Sequence, residues 1–182
     1  MDLAYPLGTF DMPDTVDAAT REVFISQVAD APRALRAAVT GLVPGQLDTP
    51  YRPNGWTVRQ VVHHLPDSHL NAYVRFKLAL TEEAPLVRPY DEALWAQLPD
   101  AKSGEIELSL ALLDAVHARW LACIRGCPPA SFERTYRHPE MGLVSLNQQL
   151  ALYAWHGRHH VAHITSLGRR LGWSRQSGEA RT

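Results

Sequence analysis

The stretch Tyr153-Ala154-Trp155-His156-Gly157-Arg158-His159-His160-Val161-Ala162-His163-Ile164 decides how the chain is read, because it gathers four of the nine histidines. Its flanks, 146–152 and 164–171, are rich in helix formers. On an α-helix, residues four apart stand on one face, which pairs His156 with His160 and His159 with His163. Such an HxxxH pair brings two imidazoles close enough to ligate one divalent metal. A third ligand must come from elsewhere, and Val62-His63-His64-Leu65-Pro66-Asp67-Ser68-His69 holds the candidates.

Helical geometry separates the two pairs. At about 100° per residue, Leu146, Leu150, Tyr153, Ile164, Leu167 and Leu171 form one apolar stripe. From its centre His160 lies roughly 30° away and His156 roughly 70°. His163 is about 90° off and His159 about 130° off, towards solvent or a flank. Ligands inside a bundle must point inward, so the pair is His156 and His160. Upstream, the stripe of Val58, Val61, Leu65, Phe76 and Ala79 turns His69 inward and His64 to an edge. Pro66 removes a backbone donor between them and can rotate one half of that helix against the other. Periodicity therefore leaves His63, His64 and His69 open, with a lean to His69.

Working outward, Ser145-Leu146-Asn147-Gln148 is a capping box that opens the last helix, from Leu146 to about Leu171, with Gly172 as its stop. Thr57-Val58-Arg59-Gln60 is another, with Trp56 and Val61 placed as a hydrophobic staple, and opens a helix from Thr57 to about Leu80. Glu105 to Arg125 reads as an amphipathic helix with Leu108, Leu112, Leu113, Val116 and Trp120 near one face. From Val16 to Thr40 apolar residues recur at helical spacing, and Pro32 predicts a kink or a break into two shorter helices. Leu47 to Gly55 is loop, and Asp91 to Leu98 forms a short extra helix. Pro128 to Val144 breaks helical period, with Phe132 to Tyr136 as a short extended piece. Residues 1–15 read as an extended N-terminal arm and 175–182 as a frayed polar tail. The expected fold is all-α, an up-and-down four-helix bundle in a single domain over 1–182.

Composition narrows the function. The formal charge of -1 gives no field for nucleic acid. The apolar runs are too short for a bilayer, and the N-terminus lacks a signal peptide's basic start and apolar stretch, so a cytoplasmic location is expected. Cys123 and Cys127 read as half-buried small apolar side chains rather than as a metal or redox pair. His117 and His138 read as structural or surface residues. The five tryptophans read as core or interface aromatics.

Tyr51-Arg52-Pro53-Asn54-Gly55-Trp56-Thr57-Val58-Arg59-Gln60-Val61-Val62-His63-His64-Leu65, continued by Asp67-Ser68-His69, resembles the YfiT branch of the DinB-like superfamily. So do Arg75-Phe76-Lys77-Leu78 with Thr81-Glu82-Glu83, Arg88-Pro89-Tyr90-Asp91-Glu92, and Trp155-His156 through His163-Ile164-Thr165. The likeness runs over roughly residues 5–174. It implies a four-helix bundle with one divalent metal per subunit, zinc or nickel, held by three histidines. One is the histidine before Leu in the first motif, and two are the HxxxH pair. Carried over, these are His64, His156 and His160, so the resemblance overrules the lean to His69. Arg158 replaces a histidine common in relatives, at a position that is not a ligand. A homodimer is implied as well. His63, His69, His159 and His163 are then supporting or pocket-lining residues, with Asp67 or nearby Glu residues as acceptors for ligand N–H groups.

Three histidines around a tetrahedral ion leave one position open, the pattern of a catalytic site. The expected function is a metal-dependent hydrolase that activates a bound water and acts on a small molecule. The alternatives are a metal-dependent S-transferase using a low-molecular-weight thiol such as bacillithiol, in detoxification, and a non-enzymatic bundle stabilised by its metal. No general base is evident, because the HxxxH interior, Gly157-Arg158-His159, lacks the glutamate of HExxH.

Overall fold

The computed structural model describes residues 2–173; the tail expected to fray, 175–182, lies outside them. The Asp17 carboxylate accepts the Thr20 N–H at 2.7 Å and opens helix α1, which runs unbroken over Ala18–Val39. The expected break at Pro32 is absent. Pro32 is buried inside α1, and the missing N–H leaves the Val28 carbonyl without its helical donor. That carbonyl accepts from a side chain instead, the Nδ1–H of His117 at 2.8 Å.

After a short helix α2 (Pro44–Leu47), both expected capping boxes form. Gln60 and Thr57 exchange hydrogen bonds of 3.2 and 2.9 Å at the start of α3 (Val58–Thr81), which passes through Pro66 as one helix. The extra helix between 91 and 98 is α4 (Glu92–Trp95), followed by an unforeseen α5 (Pro99–Ser103). Helix α6 (Ile106–Arg125) buries Leu110, Leu113, Val116, His117, Trp120 and Ile124. Leu108 and Leu112, expected on that face, are 75% and 41% exposed. A 3-10 turn over Pro129–Glu133 takes up Phe132, so the extended segment begins only at Thr135. There β1 (Thr135–His138) pairs antiparallel with β2 (Gly142–Ser145), and Ser145 caps α7 (Leu146–Arg170) with Gln148 as partner.

The four long helices form the expected bundle, but their order is not up-and-down. Arg21 meets Asn147 near the starts of α1 and α7, and Ala31 faces Gly157 midway, so these two helices run in the same direction. His63 with Ser109 and His69 with His117 show α3 and α6 running together. Ser68 with Tyr153 and Ala72 with Gln149 show α3 opposed to α7. The directions are up, down, down, up. The reason is the connection 82–105: Arg59 on the first turn of α3 bonds the Gly104 carbonyl, so this segment travels the length of the bundle before α6 begins.

Two apolar clusters fill the interior, one around Phe76, Trp120 and Leu150, the other around Leu35, Leu65, Leu113 and Ile164. Between them lies a layer of imidazoles from α3, α6 and α7. No helix among the described residues is long and apolar enough to cross a membrane.

Candidate metal centre

The antiparallel packing of α3 on α7 sets His64 opposite His156 and His160. One nitrogen from each of the three lies within 4.8 Å of the others. His64 Nε2 and His156 Nε2 stand 3.3 Å apart. Two nitrogens each about 2.0–2.1 Å from a tetrahedral ion are roughly 3.3 Å from one another, so the spacing suits one. Burial holds His64 down to about 4. His156 and His160 are held well below their ordinary value by burial and then by neighbouring imidazoles. All three are neutral at pH 7 and offer lone pairs, the form a divalent cation requires.

The other two upstream candidates face elsewhere. His63 spends its nitrogens on Ser109 Oγ at 2.6 Å and the Gly104 carbonyl at 3.2 Å. His69, fully buried, spends both of its own on other imidazoles, and this fixes the tautomer of His156. A carbonyl only accepts, so His117 Nδ1 carries the proton that meets Val28. The His117 Nε2 therefore accepts from His69 Nδ1–H at 2.7 Å. The His69 Nε2 accepts in turn from His156 Nδ1–H at 3.2 Å. What remains on His156 is a lone pair at Nε2, facing His64. The acceptor for this ring is thus His69, not the expected Asp67, whose carboxyl burial pushes up to about 6. Gly157 lets α7 approach α1 closely: a Cβ there would stand 3.0 Å from Ala31 Cβ, with His69 Cε1 in ordinary contact at 3.7 Å.

Of the two places its position on the helix allows, solvent or a flank, His159 takes the flank and is buried there. The N-terminal arm folds over that flank: the Tyr5 ring lies 6.0 Å from that of His159, and the Ala4 carbonyl accepts from His163 Nε2–H at 3.0 Å. A lone helical wheel knows nothing of such a cover. Both residues line a cavity of about 550 Å³ that opens onto the three converging histidines. The Trp56 ring, 4.8 Å from that of His64 and 6.4 Å from that of His160, walls it on one side. Tyr153, whose hydroxyl donates to the Ser68 carbonyl at 3.2 Å, walls it on another, and burial raises its pKa so that it stays protonated.

Sequence reading missed three of these roles. Trp56 looks like a staple, Tyr153 like one more stripe residue, and His117 like an isolated histidine. The only hint of the last was Pro32, which frees a buried carbonyl one bundle neighbour away.

Residues 27–164 match the model of the DinB superfamily. The chain is 47% identical over 175 residues to YfiT of Bacillus subtilis, covering 96% of this chain and 98% of that protein. It is 50% identical over 172 residues to a Bacillus mycoides protein, covering 94% and 99%. A relative from Oceanobacillus iheyensis is 49% identical over 173 residues, covering 95% and 100%. All three carry the provisional name of metal-dependent hydrolase. The solved structure of Bacillus subtilis YfiT, described as a probable metal-dependent hydrolase with an unusual four-helix bundle topology, superposes with a TM-score of 0.93 over 96% of this chain and all of that one. The four-helix bundle protein TT2238, at 21% identity and a TM-score of 0.56 over 85% of this chain and all of that one, shares the fold.

Proposed function

The chain belongs to the DinB superfamily, and from that premise we propose that it is a metal-dependent hydrolase whose single divalent ion, zinc or nickel, is held by His64, His156 and His160. The observation that carries this reading is the His64–His156 pair: two nitrogens 3.3 Å apart, one of them fixed as a lone pair by a buried chain of imidazoles. A divalent ion supplies Lewis acidity there when bound. The chain's own residues do the rest. Trp56 and the N-terminal arm exclude bulk water, and Tyr153 and Ser68 present hydroxyls along one wall. The substrate in this reading is a small molecule, which a cavity of about 550 Å³ can hold. The same reading takes in a homodimer, to which the exposed Leu108 and Leu112 strip of α6 gives an apolar face.

A second reading has one observation in its favour. None of the carboxylates lining the cavity belongs to α3 or α7, the helices that carry the three histidines: Glu92 and Glu140 line it from other segments and are exposed. Hydrolysis gains from a positioned base, whereas transfer of a thiol does not need one. The two are told apart by assaying the metal-loaded protein on activated esters with and without a small thiol. Ester cleavage without thiol supports hydrolysis. Thiol-dependent consumption of an electrophile alone supports transfer. Neither activity, with a melting temperature that drops on chelation, leaves a metal-stabilised bundle. Metal analysis tests the ligands: His64→Ala and His156→Ala should each lose stoichiometric metal, and retention by both overturns the assignment.

A further inference from the structure

Arg75 stands eleven residues beyond His64 on α3, about 16 Å further along the helix axis, and gives the cavity a charge that the metal reading leaves unused. Among the described residues only one of its N–H groups finds an acceptor, the Arg88 carbonyl 3.0 Å from Nη2, and its Nε is buried without any. The ion pairs found among those residues involve Arg33, Arg36 and Arg59, so no carboxylate answers Arg75. A guanidinium drawn partly out of water with no anion beside it is costly unless a ligand brings one.

His138, buried at the end of β1, lines the cavity too. Its Nδ1 accepts the backbone N–H of Glu140 at 3.3 Å, so in the neutral ring Nε2 bears the proton. That N–H has no partner among the described residues. Burial, and after it the charge of Arg75, holds the ring below its ordinary pKa, and the two side chains line the same cavity. Tyr90, kept protonated by burial, adds a hydroxyl to the lining. The two acidic residues that line the cavity, Glu92 and Glu140, are exposed and form no ion pair with Arg75, while the Glu140 charge acts on the His138 ring. Arg75 and the three histidines line one continuous cavity, and Tyr153, which lines it too, packs its ring 5.5 Å from that of His156.

We propose that Arg75 and His138 form a subsite for a carboxylate borne by the substrate away from its reacting atoms. A planar guanidinium matches a carboxylate with two parallel N–H bonds, and the imidazole N–H supplies a third. The substrate class is therefore a small molecule with a carboxylate tail. That the tail is remote from the reaction rests on the reading of His64, His156 and His160 as the reacting end.

Calorimetric titration of the Zn2+-loaded protein with dicarboxylates from succinate to suberate, each against the monocarboxylate of equal length, tests both ends separately. In the wild type the best dicarboxylate should bind at least tenfold tighter than its monocarboxylate, one group at each end. Arg75→Gln should weaken that dicarboxylate at least tenfold, Arg75→Lys should recover part of the loss, and His138→Leu should weaken it severalfold. Equal dicarboxylate affinity in wild type and Arg75→Gln overturns the subsite. If mono- and dicarboxylates bind alike but both still depend on Arg75, the subsite stands and the metal reading is what fails.

Discussion

His117 touches none of the three converging histidines, yet it sets the form in which one of them is presented. His117→Leu leaves the His69 Nδ1–H without an acceptor and frees His156 to turn or to protonate at Nε2. Loss of such an outer partner typically costs 10–100-fold in metal affinity, and competition against a chelator should show a weakening of about that size. His117→Gln keeps an acceptor near the lost Nε2 and should restore most of it; equal affinities in both variants would leave the chain of imidazoles without a role. Burial also links these residues to stability. His117 and His64 are each held at about 4, against an ordinary value of 6.5. Below pH 6.5 the unfolded chain takes up protons that the folded chain refuses until about pH 4. The metal-free protein should therefore lose stability as pH falls through that window, by about 1.4 kcal/mol per pH unit for each such histidine. Melting curves at pH 7, 6 and 5 check this, and a constant midpoint would contradict it. At this scale the sequence showed which residue types stand in register and that His156 and His160 share one face, the face that meets His64 in the structure. It did not show that His69 has both nitrogens engaged, because that depends on a partner 48 positions away.

Each long helix carries its own start signal, and those signals translate into measurable losses. Thr57→Ala and Ser145→Ala each remove a reciprocal capping box and should cost about 1 kcal/mol in chemical unfolding. Gly157→Ala decides between two opposed effects. Alanine gains roughly 0.5–1 kcal/mol over glycine within a helix, but here the added methyl meets Ala31 Cβ at 3.0 Å. That neighbour is a short side chain on a packed helix and has no rotamer through which to yield, so crowding at about 1–3 kcal/mol wins. The variant should be less stable than the wild type, and a gain would show that α1 and α7 can slide. Cap residues were legible because a helix start is a local event, settled within four residues. The phase of α6 was not: Leu108 and Leu112 fit an apolar stripe in isolation, and only the placement of α1 and α3 turns that stripe towards Leu110 and Leu113. Likewise Pro32 breaks helices on local grounds, whereas His117 on another helix donates to the carbonyl it frees.

Helix count is additive over the sequence, but helix order is a property of the whole molecule. Four periodic segments implied a bundle; the parallel running of α3 with α6 depends on how the segment 82–105 is spent, and nothing in its proline-containing composition states its direction. The N-terminal arm is a similar case. Sequence marks 1–15 as extended without saying what it covers, and in the structure it closes one side of the cavity. Its Ala4 carbonyl holds His163 Nε2–H, its Pro13 carbonyl holds Gln148 Nε2–H at 3.1 Å, and Phe10 packs 5.7 Å from Trp155. Removing residues 2–14 loses those two hydrogen bonds, about 1–3 kcal/mol, which at this chain length corresponds to roughly 2–4 °C of melting temperature for each kcal/mol. The helices and the three converging histidines are untouched, so helical content and metal stoichiometry should stay as in the full chain. Access is what changes: with Tyr5 and Ala4 gone, water and chelator approach His160 from the α7 side. Metal release to a chelator should quicken in the shortened chain while the metal-bound fraction at saturation does not fall. A release rate equal to that of the full chain would mean that the arm braces α7 and leaves the cavity as open as it was.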